Sequence, residues 1–371
     1  MQNRHTIPKW LWLMISDARN AMSVCLSKLA DSSAITNWDY TDALSVTENN
    51  GGKIMNTYAE RLPYTGSPEY DKHFWNAMRG SNGSYAELTK GRNIETGTYA
   101  MPNSAENKYM AALEKESLFR KIATVIKAYG NGYRIFAKDS KDLAQWVPEG
   151  DSIPVYDGLE DFTISNVDSW KLAAMVKMDE AFVRDASFDI ENYLIKRFAK
   201  NFGRAEDDAF INGNGIEMPT GILNETGGAE VAATIDNIGY DNVIDLYFSV
   251  KPEYRKNAVW LMNDKTALAL RKLKDEAGNY LWRDSDDTIL GKKVIMTEFM
   301  PDAESGSKPI AFGDFSYYWI IGRKPISVRI ISEKFATLDQ IGYLAFEFLD
   351  GKLIRPEAVK VIQMKATTPT A

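Results

Sequence analysis

Apolar residues along the chain recur at two spacings, one near 3.6 and one near 2, and the stretches that keep each spacing are unevenly distributed. The clearest is helical. Ile190, Leu194, Phe198, Phe202, Ala205 and Ala209 follow at intervals of three and four, which predicts one long amphipathic helix from Ser187 to Asn212. Ser187 is placed to cap it, and Asp189 and Glu191 put negative charge in the first turn, where the peptide dipoles favour it. At ~1.5 Å per residue such a helix runs about 39 Å, enough to cross a domain. Asn212-Gly213-Asn214-Gly215 predicts its end.

On the C-terminal side, helices are predicted at Asp241–Val250 and Asp264–Lys274, and strands at Ala258–Met262, Lys292–Met296 and Pro309–Phe312. Further strands are expected at Tyr317–Ile321, Ser327–Ile331 and Val359–Met364. A last pair, Tyr343–Leu349 and Leu353–Arg355, would be joined by a turn at Asp350-Gly351. Upstream of the long helix, Leu172–Val176 reads as a buried strand and Ala105–Ile122 as one helix with Met110, Leu113 and Leu118 among its apolar positions. Thr124–Tyr129 and Tyr133–Ala137 flank Gly130-Asn131-Gly132 and predict a hairpin. Helices and strands are interspersed without strict βαβ repetition, so the fold class is α+β.

Two regions resist this reading. Residues 1–104 offer helices at Lys9–Ala30 and Pro68–Arg79, separated by polar, glycine-rich sequence, and no spacing that would sustain a core of their own. Residues 138–161 carry nine charged side chains and little periodicity. A loop of that length does not belong inside a compact domain. It makes physical sense if the hairpin and its polar arm lie on a neighbouring molecule.

Composition removes many chemistries. Of 371 residues, 44 are basic and 51 acidic, a net charge of −7 that argues against a generic nucleic-acid-binding surface. Cys25 is the only cysteine, so no intrachain disulfide, Cys-rich zinc site or redox pair can form, which fits a reducing compartment. His5 and His73 are the only histidines, too few for a multi-histidine metal cage. The run Trp10–Ile15 is six residues long, short of a secretory core or a membrane span.

Candidate chemistry is correspondingly thin. Neither Asn212–Gly215 nor Gly51-Gly52-Lys53 has the context of a phosphate-binding loop. Glu206-Asp207-Asp208 and Asp284-Ser285-Asp286-Asp287 could suggest a metal, but consecutive helical residues point about 100° apart and the second cluster lacks the pattern of a calcium loop. Both are expected to be solvated charge. Lys251, Arg255, Lys256, Arg271, Lys272 and Lys274, near Tyr254 and Trp260, form a modestly basic stretch broken by Asp264 and Asp275. Cys25 and His73 read as packing residues, and no catalytic, cofactor-binding or metal-binding residue is assigned.

Several segments, in order, resemble the tailed-phage major capsid proteins of the Hong Kong 97-like fold. Ala181–Leu194 resembles the approach to that family's spine helix, and Gly203–Gly215 followed by Pro219-Thr220-Gly221-Ile222-Leu223 resembles its exit. Ala144–Gly150, Leu273–Trp282, Gly313–Tyr318 and Arg355–Ala358 are similar to further family segments. Phe74–Gly80 resembles the stretch just before the mature N-terminus in such precursors. The likeness covers roughly residues 68–365.

The resemblance implies an icosahedral shell of hexamers and pentamers enclosing double-stranded DNA, with no enzymatic role and no cofactor. It implies a precursor or scaffolding-like segment and arm at 1–104, an arm helix at 105–122 and an extended loop at 123–170 that overlaps a neighbour. A peripheral domain would comprise 171–236 and 326–371, and an axial domain 237–325. Implied partners are a portal, a head-maturation protease or scaffold, and a decoration protein, with assembly in the bacterial host cytoplasm and residence in the virion. The family's self-made Lys–Asn cross-link is not expected, because Gly150, after Glu149, and Asp339 stand at the reacting positions. Within the fold, the alternative is an encapsulin-type nanocompartment, against which the first hundred residues speak. Outside it stand a cytosolic enzyme using acidic residues, for which no motif is present, and a nucleic-acid-binding module.

Overall fold

Two sheets, a separate ribbon and one long helix organise the chain in the computed structural model, which describes residues 65–89, 98–128, 134–138, 147, 162–185, 187–282 and 287–366. The expectations for Lys9–Ala30, Cys25, Gly51–Lys53, Gly130–Gly132, Glu149-Gly150 and Asp284–Asp286 lie outside the described residues.

Helices α1 (Pro68–Met78) and α2 (Asn82–Thr89) precede strand β1 (Thr98–Ala100). Then come α3 (Asn103–Glu116), α4 (Phe119–Ile122), β2 (Thr124–Lys127), β3 (Arg134–Lys138), β4 (Phe162–Asn166), β5 (Trp170–Asp179) and α5 (Glu180–Arg184). The long helix is α6 (Ile190–Asn212). It is followed by β6 (Glu230–Ile235), α7 (Tyr240–Ser249), α8 (Pro252–Arg255), β7 (Val259–Met262), α9 (Asp264–Arg271), β8 (Thr288–Ile289) and β9 (Lys292–Met296). The chain closes with β10 (Ile310–Gly313), β11 (Tyr318–Ile331), β12 (Gln340–Leu353) and β13 (Val359–Met364).

The first sheet has the order β1-β11-β12-β5, with β2 also paired, in parallel, to β11. The second has the order β6-β13-β10-β7-β9-β8. Its central strands are apolar on both faces, and the register shows why. Trp260, Met262, Ile310, Phe312 and Ile362 point into one cluster, while Leu261, Ala311 and Val361 point into another. Phe312 stands opposite Trp260 and Ile310 opposite both Met262 and Ile362. A strand buried on both sides reads as a continuous apolar run, which is how these segments read in the sequence.

Several expectations change. The runs at 124–129 and 133–137 do not pair with each other. Thr124–Lys127 joins β11, and Arg134–Lys138 pairs antiparallel with Phe162–Asn166, so the ribbon encloses residues 139–161. The helix expected over 105–122 breaks at Ser117, for a reason given below. Tyr317–Ile321 and Ser327–Ile331 are one strand interrupted by register shifts between Gly322 and Ser327. Asp350-Gly351 is no turn: β12 runs straight through it, pairing Asp350 with Ile321 and Gly351 with Ile320. A Cβ at Gly351 would lie 2.5 Å from the Tyr318 hydroxyl and 2.9 Å from the Phe210 ring, so glycine here serves close packing. Leu172–Val176 belongs to the longer β5, which forms one edge of its sheet and is covered on one face only.

Helix α6 starts later than expected. Asp189 caps it by accepting from the Asn192 N–H, while Ser187 donates to Asp185 instead. The amide of Gly213 bonds the Ala209 carbonyl at the other end, as the glycines suggested. The buried face follows Ile190, Leu194, Phe198 and Phe202, but Ala205 is exposed and the stripe continues through Glu206 and Phe210 instead.

The segment before α3 shares this core. Tyr70, Phe74, Ala77 and Met78 lie at spacings of three and four on α1, and all are fully covered beside Val176, Phe198 and Tyr343. Arg79 donates to the carbonyls of Val183, Asp185 and Phe188, and the Tyr343 hydroxyl donates to Met78 O, so α1 is tied to the approach to α6 and to β12.

Candidate functional site: a buried ionic joint beneath the long helix

Where α3, α4, α6 and β12 meet, the core contains charge. Inward positions of β12 alternate as Ile341, Tyr343, Ala345, Glu347 and Leu349, so Glu347 occupies an apolar register. On α6 the step of four from Phe202 places Glu206 in the same situation, with Asp207 beside it. Arg120, on α4, sits between the two glutamates. Its Nε and one terminal nitrogen donate to Glu206 at 2.7 Å each, and that terminal nitrogen also donates to Glu347 at 3.0 Å. The Tyr109 hydroxyl donates to the other Glu347 oxygen at 2.8 Å. The Arg120 and Glu206 side chains are 4% and 0% exposed, which rules out solvent as their partner.

Asp207 explains the break in the helix. It accepts from the Ser117 hydroxyl at 2.7 Å and from the N–H groups of Leu118 and Phe119 at 2.8 and 3.0 Å. Free amide donors at a helix start need acceptors, and here a carboxylate from another helix supplies them. The approach is close: a Cβ on Gly203 would meet Glu116 and Ser117 at 3.2 Å.

Two carboxylates face one guanidinium, so the joint carries one uncompensated negative charge unless it holds a proton. Burial pushes the Glu206 carboxyl up to about 7; Arg120 opposes this and the neighbouring Glu347 adds to it. Burial also raises Asp207, against the three hydrogen bonds it accepts. For Arg120, burial alone would lower the value, but Glu206 and Glu347 more than reverse this and keep the guanidinium charged. Burial raises the Tyr109 phenol far above its usual range, so it stays a donor.

The expectation that Glu206-Asp207-Asp208 is solvated charge is therefore corrected: Asp208 alone is exposed. The available signal was the helical period itself, which carries the buried stripe onto Glu206. Chemically the joint positions elements. The void beside it, lined by Tyr109, Arg120 and Glu347, is about 20 Å³ and has room for one water, with no space for a substrate.

Other sequence candidates disperse. Trp260 and Tyr254 are buried, Arg271 stacks on Trp282 and pairs with Asp287, and Lys274 lies over Tyr280, so the basic stretch forms no platform. His73 is half-buried on α1. Among the described residues, no group of three potential ligands could hold a metal, and no helix is long and apolar enough to cross a membrane. Asp339 lies just after a short 3₁₀ turn, in the left-handed conformation with φ 51°.

Comparisons with known proteins agree with this architecture. The model of the phage capsid family matches residues 97–364. Two solved structures titled as GTA particle capsids are similar. The empty-particle capsid has 30% identity and a TM-score of 0.55, covering 68% of this chain and 90% of that one. The native-particle capsid has 29% identity and a TM-score of 0.57, covering 77% and 98%. A chain from Microbacterium phage Oxtober96 has 17% identity and a TM-score of 0.51 over 67% of this chain and 91% of its own, a likeness of fold. Curated proteins gave no match.

Proposed function

Because this chain belongs to the phage capsid family, we infer that it is a major capsid protein whose copies close into an icosahedral shell of hexamers and pentamers around phage double-stranded DNA. The observation that carries this is the family match over 97–364, reinforced by the GTA particle capsids, which are 29–30% identical over most of their length. Those same neighbours do not favour the nanocompartment alternative. The role is structural, with the subunit acting through many modest contacts that reinforce one another instead of through an active site.

In this reading the ribbon β3–β4, which pairs with neither sheet, is the base of an extended loop that lies on an adjacent subunit; of the expected span 123–170, Thr124–Lys127 and Trp170 stay in the subunit's own first sheet. The sheet beneath α6 serves as the core of the peripheral domain and the second sheet as that of the axial domain, so the expected bounds (171–236 and 326–371 against 237–325) shift: β6 and β13 pair within the second sheet, and residues 318–325 belong to β11 of the first. Residues 1–104 act as precursor segment and arm, although α1 within them is bound into the common core. A portal, a head-maturation protease or scaffold, and a decoration protein are the expected partners, in the cytoplasm of a bacterial host.

Expression of the full chain, alone and with its neighbouring gene products, followed by electron microscopy tests the reading. Closed particles with rings of five and six are expected. A monodisperse monomer under all these conditions would refute it.

A further inference from the structure

The exposed side of α6 is as unusual as its buried side. Lys196, Lys200 and Arg204 recur every four residues, with Arg197 alongside, and all four are exposed. They fall within about 100° of arc along ~12 Å of helix. Among the described residues no carboxylate pairs with Lys196, Arg197 or Lys200, and Arg204 meets only the exposed Glu298. Elsewhere in the body, some cations pair with carboxylates, as Lys108 with Glu191, Lys127 with Glu106, Lys265 with Asp302, Lys352 with Asp168 and Lys360 with Glu230. In a chain with a net charge of −7, four exposed cations gathered on one face of a single helix are a local concentration of positive charge.

We propose that this row on the long helix is a contact strip for the phosphate backbone of double-stranded DNA. The proposal rests on the reading of the chain as a DNA-enclosing shell subunit. Steps of four residues separate the cations by ~6 Å, close to two phosphate steps of one strand, about 6.8 Å along the duplex axis. Charges spaced along one straight helix face follow the phosphates of a strand, and phosphate contacts contain no sequence information, as a container for arbitrary DNA requires. An acidic protein segment is the competing occupant, and the chain contains one: Asp139, Asp142, Glu149, Asp151, Asp157, Glu160 and Asp161 lie in the ribbon's arm. Protein interfaces, however, centre on apolar anchors and are depleted in lysine. Between Lys196 and Arg204 the helix exposes no large apolar side chain, and Tyr193 lies outside the row. The composition of the strip therefore favours phosphate.

The test uses purified full-length subunits and a labelled linear duplex, titrated at several salt concentrations. Four phosphate contacts give a slope of about −3.6 in log affinity against log salt, so wild-type binding weakens roughly 150-fold between about 50 and 200 mM. The variant Lys196→Gln, Arg197→Gln, Lys200→Gln, Arg204→Gln is expected to lose this slope. A control removing equal charge elsewhere, Lys251→Gln, Lys256→Gln, Lys272→Gln, Lys274→Gln, is expected to keep it. Glutamine is a good former at exposed helical sites, and circular dichroism verifies folding. Equal slopes for wild type and strip variant, or equal loss in the control, would overturn the proposal. So would a folded strip variant that no longer closes into shells where wild type does, since the strip would then be a contact between subunits. Wild-type particle formation is read separately by microscopy, so failure of the shell reading is distinguishable from failure of the strip.

Discussion

The two sheets solve the same packing problem with different materials. The second sheet buries apolar side chains on both faces at its centre, where Trp260 and Phe312 stack with ring centroids 4.1 Å apart. The first is built on long strands, with α6 on one side and the ammonium groups of Lys171 and Lys324 over Phe346 and Phe348 on the other. Within its apolar register it contains Glu347, clamped with Glu206 on Arg120. Apolar packing tolerates small shifts, because dispersion has no direction. The ionic joint fixes the orientation of α3, α4, α6 and β12 at once, because each hydrogen bond has a required geometry and a lost partner leaves buried charge. A subunit that must hold its arm, helix and sheet at set angles while meeting many copies gains from such a constraint.

Breaking the joint from its cationic side should produce the largest effect. Arg120→Met leaves two glutamates buried without a counter-charge and is expected to cost about 3–5 kcal/mol in chemical unfolding. The loss should shrink toward pH 5, where Glu206, raised by burial, takes up a proton. A loss independent of pH would mean that packing, and not charge, dominates the site.

The proton on Glu206 gives the next effect. Its carboxyl titrates near 7 when folded and near 4.5 when unfolded, so the folded state holds a proton that the unfolded chain releases between those values. Its contribution is complete below about pH 4.5 and is lost as pH rises to about 7, a decline of about 3 kcal/mol. Glu206→Gln, which still accepts from Arg120, should flatten stability across that window. An unchanged slope would assign the pH dependence to other groups.

The apolar sheet should respond least. Ile310→Val, in the fully buried β10, removes one methylene and is expected to cost about 1 kcal/mol, with the same value at pH 5 and pH 7.5. A pH-dependent cost would show that the two sheets are electrostatically coupled.

The same contrast explains what could be read in advance. Most of the second sheet was legible: Ala258–Met262, Lys292–Met296, Pro309–Phe312 and Val359–Met364 lie within one residue of observed strands at each end, while its two edge strands β6 and β8 were missed. The first sheet was misread at Asp350-Gly351, which mimics a turn, and at Gly322–Ser327, where register shifts imitate a strand boundary. The family resemblance was also legible, since it rests on ordered local segments.

Sequence alone fixed the periodic elements, the position and stop of the long helix, the scarcity of metal- and redox-active side chains and the family. These depend on neighbours within a turn or a strand, so a local pattern contains them. Tertiary structure decided which strands pair, why the arm helix breaks at Ser117 and why acids occupy apolar registers. Asp207 caps a helix some ninety residues upstream in sequence, and Arg120 joins carboxylates from two further elements. Such partners become neighbours only when the chain folds, because burial makes an unpaired charge far costlier than it is in water.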